Sequence, residues 1–355
     1  MRPELQEEIV SDEEMAIIEA ALAAAAARPL LSAAVARGAA TLSCAAYSTA
    51  GDIEDSAPPL RRSLLSRFRV RERRALAVTD ITATEWCDKQ MEFVLEHGKP
   101  ERTEAMKAGS DRHAQLEQEV IERVKIDVKS AEESWAVKFM NFVVGTNQLL
   151  FDGLTRELPV IGVVEGSWMV GIIDEIRMPV DGISFHPILV DTKTRFKATI
   201  PSEAQKRNGR LQLMCYKYLW DSSIAEKFPA ENFFNYFDLN PDFLLSDVVK
   251  RHISSFGFNA QTLGDVLKYY RVTCHTLSRS QEQLILRYEL QADHSLLEEY
   301  QFSYDDQWFK DQIQEALSFW QGTREPKFVT EEEWWKCKIC KFTPSCPKMA
   351  STWRC

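Results

Sequence analysis

Helical periodicity governs the chain from about residue 78 to residue 151. The stretch 100–125 is charged and amphipathic, and 131–151 places Trp135, Phe139, Phe142 and Val143 at the spacing of one helix face. At residue 160 the pattern changes. "VIGVVEG", "SWMVGIIDEIRM" and "ISFHPILVDTKTR" are rich in β-branched residues and separated by Gly, Ser, Pro and Asp, which predicts three consecutive strands. A helix over about 202–221 follows, with further helices within 230–276. "EQLILRYELQ" and "EEYQFSYD" predict a second strand pair, and 305–321 predicts a helix ahead of "EEEWWKCKICKFTPSCPK" at 331–348. Helices, then a sheet, then helices imply an α/β fold, a central mixed sheet flanked by helices. There is no internal repeat.

The first 75 residues stand apart as an Ala/Arg-rich, mobile tail in which only a helix over 13–27 is expected. Residues 1–60 hold ten acids against three arginines, so most of the net charge of −10 lies there and does not by itself exclude a nucleic-acid partner. "RRSLLSRFRVRERR" at 61–74 then brings seven arginines and one glutamate. A solvated helix or linker, a targeting signal and a phosphate-contacting arm all fit that run. Residues 28–51 lack acids and carry Arg28, Arg37 and several serines, as a transit peptide does, but the acid-rich opening opposes that reading and a secretory signal alike. No apolar stretch approaches the roughly 18–20 residues that span a bilayer. A soluble protein with no membrane partner, in a reducing compartment, is expected, with one folded unit over 78–348 and a short tail at 349–355.

Candidate chemistry sits on the last two of the three strands. Asp191 and Lys193 in "ILVDTKTR" are two residues apart, hence on one face of a strand. Asp174 closes the apolar run of "GIID", and two carboxylates from adjoining strands can hold Mg²⁺. An ordinary surface ion pair with a strand-end acid fits the same residues. Gln212 and Tyr216 in "GRLQLMCYKYLW" are four apart on one helix face, and His113 in "AGSDRHAQLE" lies on an earlier helix. Cys337, Cys340 and Cys346 make three quarters of a tetrahedral thiolate set or of an iron–sulfur ligand set. Cys44, Cys215, Cys274 and Cys355 lack companions at ligand spacing, and Cys215 and Cys274 read as buried helix residues.

Taken in order, His113, Asp174 in "GIID", Asp191 and Lys193 in "DTK", and Gln212 and Tyr216 in "QxxxY" resemble the RecB-type branch of the PD-(D/E)xK nucleases. With "ITATEWC", "VDTKTR" and "WWKCKICKFTPSC" the chain is most similar to the eukaryotic exonuclease V family over roughly residues 78–348. That resemblance implies a PD-(D/E)xK, restriction-endonuclease-like core with a helical iron–sulfur periphery. It implies a metal-dependent exonuclease of single-stranded DNA in DNA repair. His113, Asp174, Asp191 and the Thr192 carbonyl are then expected to bind Mg²⁺ or Mn²⁺. Lys193 would assist the attacking water, while Gln212 and Tyr216 position the strand and the lysine.

The same resemblance makes Cys87 the fourth ligand of a 4Fe–4S cluster with Cys337, Cys340 and Cys346. Closing a loop of about 250 residues would stabilise the fold by on the order of 5 kcal/mol, by analogy with a disulfide. Asp191 stands where many relatives have Glu, and Glu117, one turn after His113, is a weaker candidate outside the expected set. Arg195, Lys197, Lys206, Arg207 and Arg210 are candidate DNA contacts, each equally an ordinary surface charge. A monomer is expected, with single-stranded DNA and a single-strand-binding protein as partners, in the nucleus or alternatively in mitochondria or plastids. The competing reading is a zinc-stapled nucleic-acid-binding protein whose nuclease fold no longer cuts.

Overall fold

The computed structural model describes residues 75–120, 126–179, 185–225 and 228–348. The expectations for the N-terminal tail with its helix and arginine run, for Cys44, and for 349–355 lie outside these residues. A two-residue strand, β1 (Leu76–Ala77), opens into α1 (Val78–Trp86) and α2 (Asp88–His97), which meet at the extended backbone of Cys87. Then come α3 (Glu104–Gln118) and α4 (Ala131–Asp152), followed by β2 (Leu154–Val164), β3 (Ser167–Arg177) and β4 (Ile188–Arg195). Helices α5 (Glu203–Ile224), α6 (Ala230–Phe237), α7 (Asp247–Ser255) and α8 (Leu263–Thr276) lead to β5 (Gln283–Leu290) and β6 (Leu296–Ser303). After α9 (Asp306–Gln321) the cysteine segment forms short 3₁₀ turns over Glu331–Ile339 and Thr343–Ser345. No described helix is long and apolar enough to cross a membrane.

Local chemistry sets the helix ends. The Ser130 hydroxyl accepts from the Glu133 N–H to start α4, and Gly153, in the left-handed region, ends it. A reciprocal capping box between Ser202 and Gln205 starts α5.

The sheet is mixed, in the order β1-β3-β4-β5-β6, with β2 paired to β3. Antiparallel β2 occupies one edge of β3 from Ser167 to Arg177, so β1 and β4 must share the other. β1 runs parallel to β3 at Met169 and Val170, and β4 runs antiparallel to it only at Glu175, Ile176 and Arg177. Between those two pairings β3 has no strand neighbour on that edge. Beyond Val190, β4 departs from β3 and pairs in parallel with β5 through Arg195. A crevice opens where the strands diverge.

Helix α4 covers β2, with Trp135, Phe139 and Phe142 buried among rings from α6 and α8. Trp135 meets Phe233 at 5.0 Å, and Phe142 meets Tyr270 at 4.7 Å between ring centroids. Helix α5 packs against β2 through β5, with Leu211, Leu219 and Trp220 fully buried and the Trp220 ring 6.2 Å from that of Phe142 on α4.

Two elements depart from the sequence expectation. β2 begins at Leu154 and not at residue 160, because it is an edge strand and tolerates Pro159, whose missing N–H costs nothing on an unpaired side. β1 was not anticipated, since two residues are too few to show a period.

Glu133 ties α4 to the start of α7. Its buried carboxylate accepts from the backbone N–H of Lys129 and of Ser246, each at 2.8 Å. Burial pushes its pKa up, but these donors and the Ser246 hydroxyl outweigh burial and hold it below the usual glutamate value. A depressed folded pKa contributes stability that is present above the unfolded value of about 4.3 and lost as pH falls through the folded one. Glu133→Gln is therefore expected to cost about 1–3 kcal/mol at neutral pH. The gap to wild type should narrow below about pH 4 in urea titrations, and a pH-independent gap would refute the assignment.

Candidate active site

Four elements bring charged side chains into the crevice. Asp174 projects from the unpaired stretch of β3, and its Oδ2 accepts from the Thr192 backbone N–H at 3.0 Å. That bond replaces the ladder pairing that β3 and β4 would otherwise continue. Asp191 and Lys193 on β4 share one face, with Lys193 Nζ 3.0 Å from Asp191 Oδ1 and 2.9 Å from Oδ2. Lys193 Nζ also donates to Gln212 Oε1 at 2.8 Å, and Gln212 Nε2 donates to the Tyr216 hydroxyl at 2.9 Å. The α5 pair thus holds the lysine from the helix side. Tyr216 lies against Gly171 of β3, where a Cβ would sit 2.6 Å from Tyr216 Cε1.

Helix α3 closes the other wall. His113 Nδ1 is 3.2 Å from Glu157 Oε1 and 3.7 Å from Asp174 Oδ2. Glu157 falls opposite Asp174, since Arg156 pairs with Glu175 and Leu158 with Ile173. Its φ of +50° is unusual for a residue other than Gly, Asn or Asp and costs backbone energy. Side chains of His113, Glu157 and Asp174 offer ligand atoms that all lie within 4.8 Å of one another.

Opposite charges crowded out of water set the protonation states. Burial would lower the His113 pKa, but Asp174 and Glu157 reverse this and lift it to about 9. Burial pushes Asp191 up to about 6 despite Lys193, and pushes Asp174 up against the pull of His113 and Lys193. For Lys193 the penalty of burial is outweighed by Asp191 and Asp174, so the ammonium form is favoured. Burial, with Asp174 and Asp191 nearby, holds the Tyr216 phenol protonated far above its usual range.

A cavity of about 630 Å³ contains this group. His113, Glu157, Asp174, Thr192, Lys193, Gln212 and Tyr216 line one part, while Trp135, Phe139, Pro159, Ile161 and Ile172 line an apolar extension. His113, Asp174, Lys193, Gln212 and Tyr216 thus meet in one cavity, with Asp191 beneath Lys193. Thr192 meets the group through its N–H. Glu157 was missed, because the proline two residues on hid the strand that carries it. Glu117 is buried and does not line the cavity.

None of the five basic DNA-contact candidates lines the cavity either. Arg207 pairs with Glu85 and Glu333, Arg210 with Glu203 and Tyr300, and Lys206 with Glu298. Arg195 bonds Gln205 and Thr199, and Lys197 is exposed beside the cavity mouth.

Cys87, Cys337, Cys340 and Cys346 all line a second, small cavity of about 30 Å³, together with Trp86, Phe93, Phe328 and Phe342. Burial raises the Cys87 thiol above its ordinary value, and the Cys340 charge adds to the effect. Cys215 and Cys274 are buried in α5 and α8.

A family model described as "Exonuclease V - a 5′ deoxyribonuclease" matches residues 63–186, 184–269 and 262–354. The chain belongs to the exonuclease V family. Exonuclease V of Danio rerio is 28% identical over 291 residues, which make up 80% of this chain and 72% of that protein. The crystal structure of SSO0001 aligns over 77% of this chain and 85% of its own at 14% identity, with a TM-score of 0.36. At that score the likeness assigns no fold. Membership of the exonuclease V family supports a nuclease activity for this chain.

The contact between Gly171 and Tyr216 yields a prediction. Gly171→Ala is expected to destabilise the protein by about 1–3 kcal/mol through overpacking. In a Tyr216→Ala background the cost should fall by at least half, as read from a double-mutant cycle in denaturant. Equal costs in both backgrounds would show that the ring is not what crowds Gly171.

Proposed function

We propose that this protein is a divalent-metal-dependent exonuclease that degrades single-stranded DNA from 5′ ends, on a PD-(D/E)xK-type core. The observation that carries the reading is the convergence of His113, Glu157, Asp174, Asp191 and Lys193 on one crevice beside Gln212 and Tyr216. The 5′ direction and the DNA substrate come from the family description, and a role in DNA repair follows from the same kinship.

The donor set fits Mg²⁺ or Mn²⁺. Asp191 is fully buried with Lys193 Nζ 2.9 Å from its Oδ2, and Asp174 lies close enough to raise its pKa further. One ammonium does not balance several buried carboxylates, which are costly unless further positive charge is fixed among them. With His113 neutral, the three carboxylates of Glu157, Asp174 and Asp191 are balanced by Lys193 and one doubly charged ion. His113, Glu157, Asp174 and Asp191 would hold that ion, a mixed oxygen and imidazole set suited to these metals. When bound it supplies Lewis-acid charge to the phosphate and acidifies its water.

The chain's own groups do the rest. Lys193, fixed by Asp191 and Gln212, presents an ammonium to a phosphate oxygen or to the attacking water. Tyr216 keeps Gln212 in the orientation that accepts from Lys193. Thr192 keeps Asp174 turned into the crevice.

The four cysteines suit a 4Fe–4S cluster, and the aromatic side chains beside them would cover part of it. Four thiolates also suit zinc. A brown protein containing iron, bleached by Cys346→Ser, is expected. A colourless protein with one equivalent of zinc would replace the cluster and leave the nuclease reading standing.

Catalysis is tested by digestion of end-labelled single-stranded DNA in Mg²⁺. Asp191→Ala and Lys193→Ala are each expected to lose activity by on the order of a thousandfold, with blunt duplex cut far more slowly than single strands. Glu157→Gln should raise the Mg²⁺ needed for half-maximal cutting by about tenfold. Undiminished digestion by either alanine variant would move the active site elsewhere, and a folded wild type that never cuts would favour the zinc-stapled binding protein.

A further inference from the structure

The cavity that holds the carboxylates has an apolar lip on both sides. Phe196 lies one residue past the end of β4, is 76% exposed, and lines the same cavity as Asp174 and Lys193. Met106, near the start of α3, is 61% exposed and lines it too. Scattered exposed apolar side chains are ordinary on a protein surface, but two at the mouth of one charged cavity call for an occupant.

The two are held in register. Gln291 Nε2 donates to the Ala105 carbonyl at 2.8 Å and to Thr194 Oγ1 at 2.9 Å, joining the residue before Met106 to the one two before Phe196. The join is close, since a Cβ on Gly109 would lie 3.1 Å from Thr194 Oγ1. Met106 is thereby tied, through Ala105, close to the end of β4, from which Phe196 follows directly.

We propose that Phe196 is a stacking platform for the nucleobase next to the scissile phosphate, with Met106 as the opposing wall; this rests on the nuclease reading above. The occupant follows from what the cavity joins. A nucleotide is a phosphate tied to a flat apolar ring, and here a cationic and metal-ligating end adjoins an exposed aromatic face. Exposed Lys197, next to Phe196, is placed to meet the adjoining phosphate. Stacking on an open ring needs an unpaired base, because the faces of a paired base are covered by its neighbours. Phe196 would thus add selectivity for unpaired strands at the point of cutting, without reading sequence.

The test uses the full chain and two readouts. The first is digestion in Mg²⁺ of an oligothymidylate and of the same oligomer with one tetrahydrofuran abasic residue. Wild type should stall at the abasic position, slowed roughly tenfold by the lost base contact. Phe196→Ala should cut the intact oligomer roughly tenfold more slowly and show no added stall, and Phe196→Trp should restore both behaviours. The second readout is quenching of 2-aminopurine in single-stranded DNA bound in Ca²⁺, expected with wild type and Phe196→Trp and lost with Phe196→Ala. Wild-type stalling and quenching in Phe196→Ala would overturn the platform. Loss of all cutting by wild type, with quenching still dependent on Phe196, would sink the nuclease reading and leave Phe196 a base-stacking platform for bound single strands only.

Discussion

Mutual repulsion among Glu157, Asp174 and Asp191 is the constraint on which the rest of this structure depends. Three carboxylates confined in one crevice drive each other apart unless cations are fixed between them. Lys193 and His113 supply that charge, and each is held by a different part of the fold. Helix α3, which carries His113, is fastened at several points. Arg112 pairs with buried Glu289 on β5, and Arg156 on β2 reaches the Leu116 carbonyl, Glu119 and Glu175. The strained backbone at Glu157 belongs to the same balance, since strain of that kind persists only where the surroundings over-determine it.

Lys193 depends on α5, and α5 is in turn moored to the far ends of the chain. Arg207, five residues before Gln212, binds Glu85 at the end of α1 and Glu333 in the cysteine segment. Asn208 adds bonds to the Thr82 carbonyl and to Glu85. Two residues after Glu85 comes Cys87, and four residues after Glu333 comes Cys337. The helix that sets the lysine is thereby connected to the cavity where the four cysteines meet. Arg324, paired with buried Asp88, and Lys336, 4.3 Å from the Trp86 ring centroid, join the same two segments by protein contacts alone.

Much of the site was legible because its parts are local in sequence. A separation of two on a strand placed Asp191 with Lys193, and a separation of four on a helix placed Gln212 with Tyr216. The split between three clustered cysteines and an isolated one emerged only through kinship, since spacing alone cannot join residue 87 to residue 337. Glu157 escaped because Pro159 broke the alternation that would have revealed the strand. The basic residues of α5 looked free because their partners, Glu85, Glu298 and Glu333, are each remote along the chain. Burial and ion pairing between distant segments belong to the tertiary structure, and no local pattern encodes them.

The docking of the cysteine segment onto α1 and α2 has a consequence for synthesis. Trp86 meets Trp335 edge-on at 5.6 Å, and Phe93 stacks on Phe342 at 5.5 Å. On the ribosome the early rings emerge first and wait for partners about 250 residues later, on the order of ten to fifty seconds at ordinary elongation rates. Through that interval the nascent chain carries uncovered aromatic surface and the Cys87 thiol without the three cysteines it later faces. The vulnerable period of this protein's life is therefore its own translation, when a chaperone would have the most to protect.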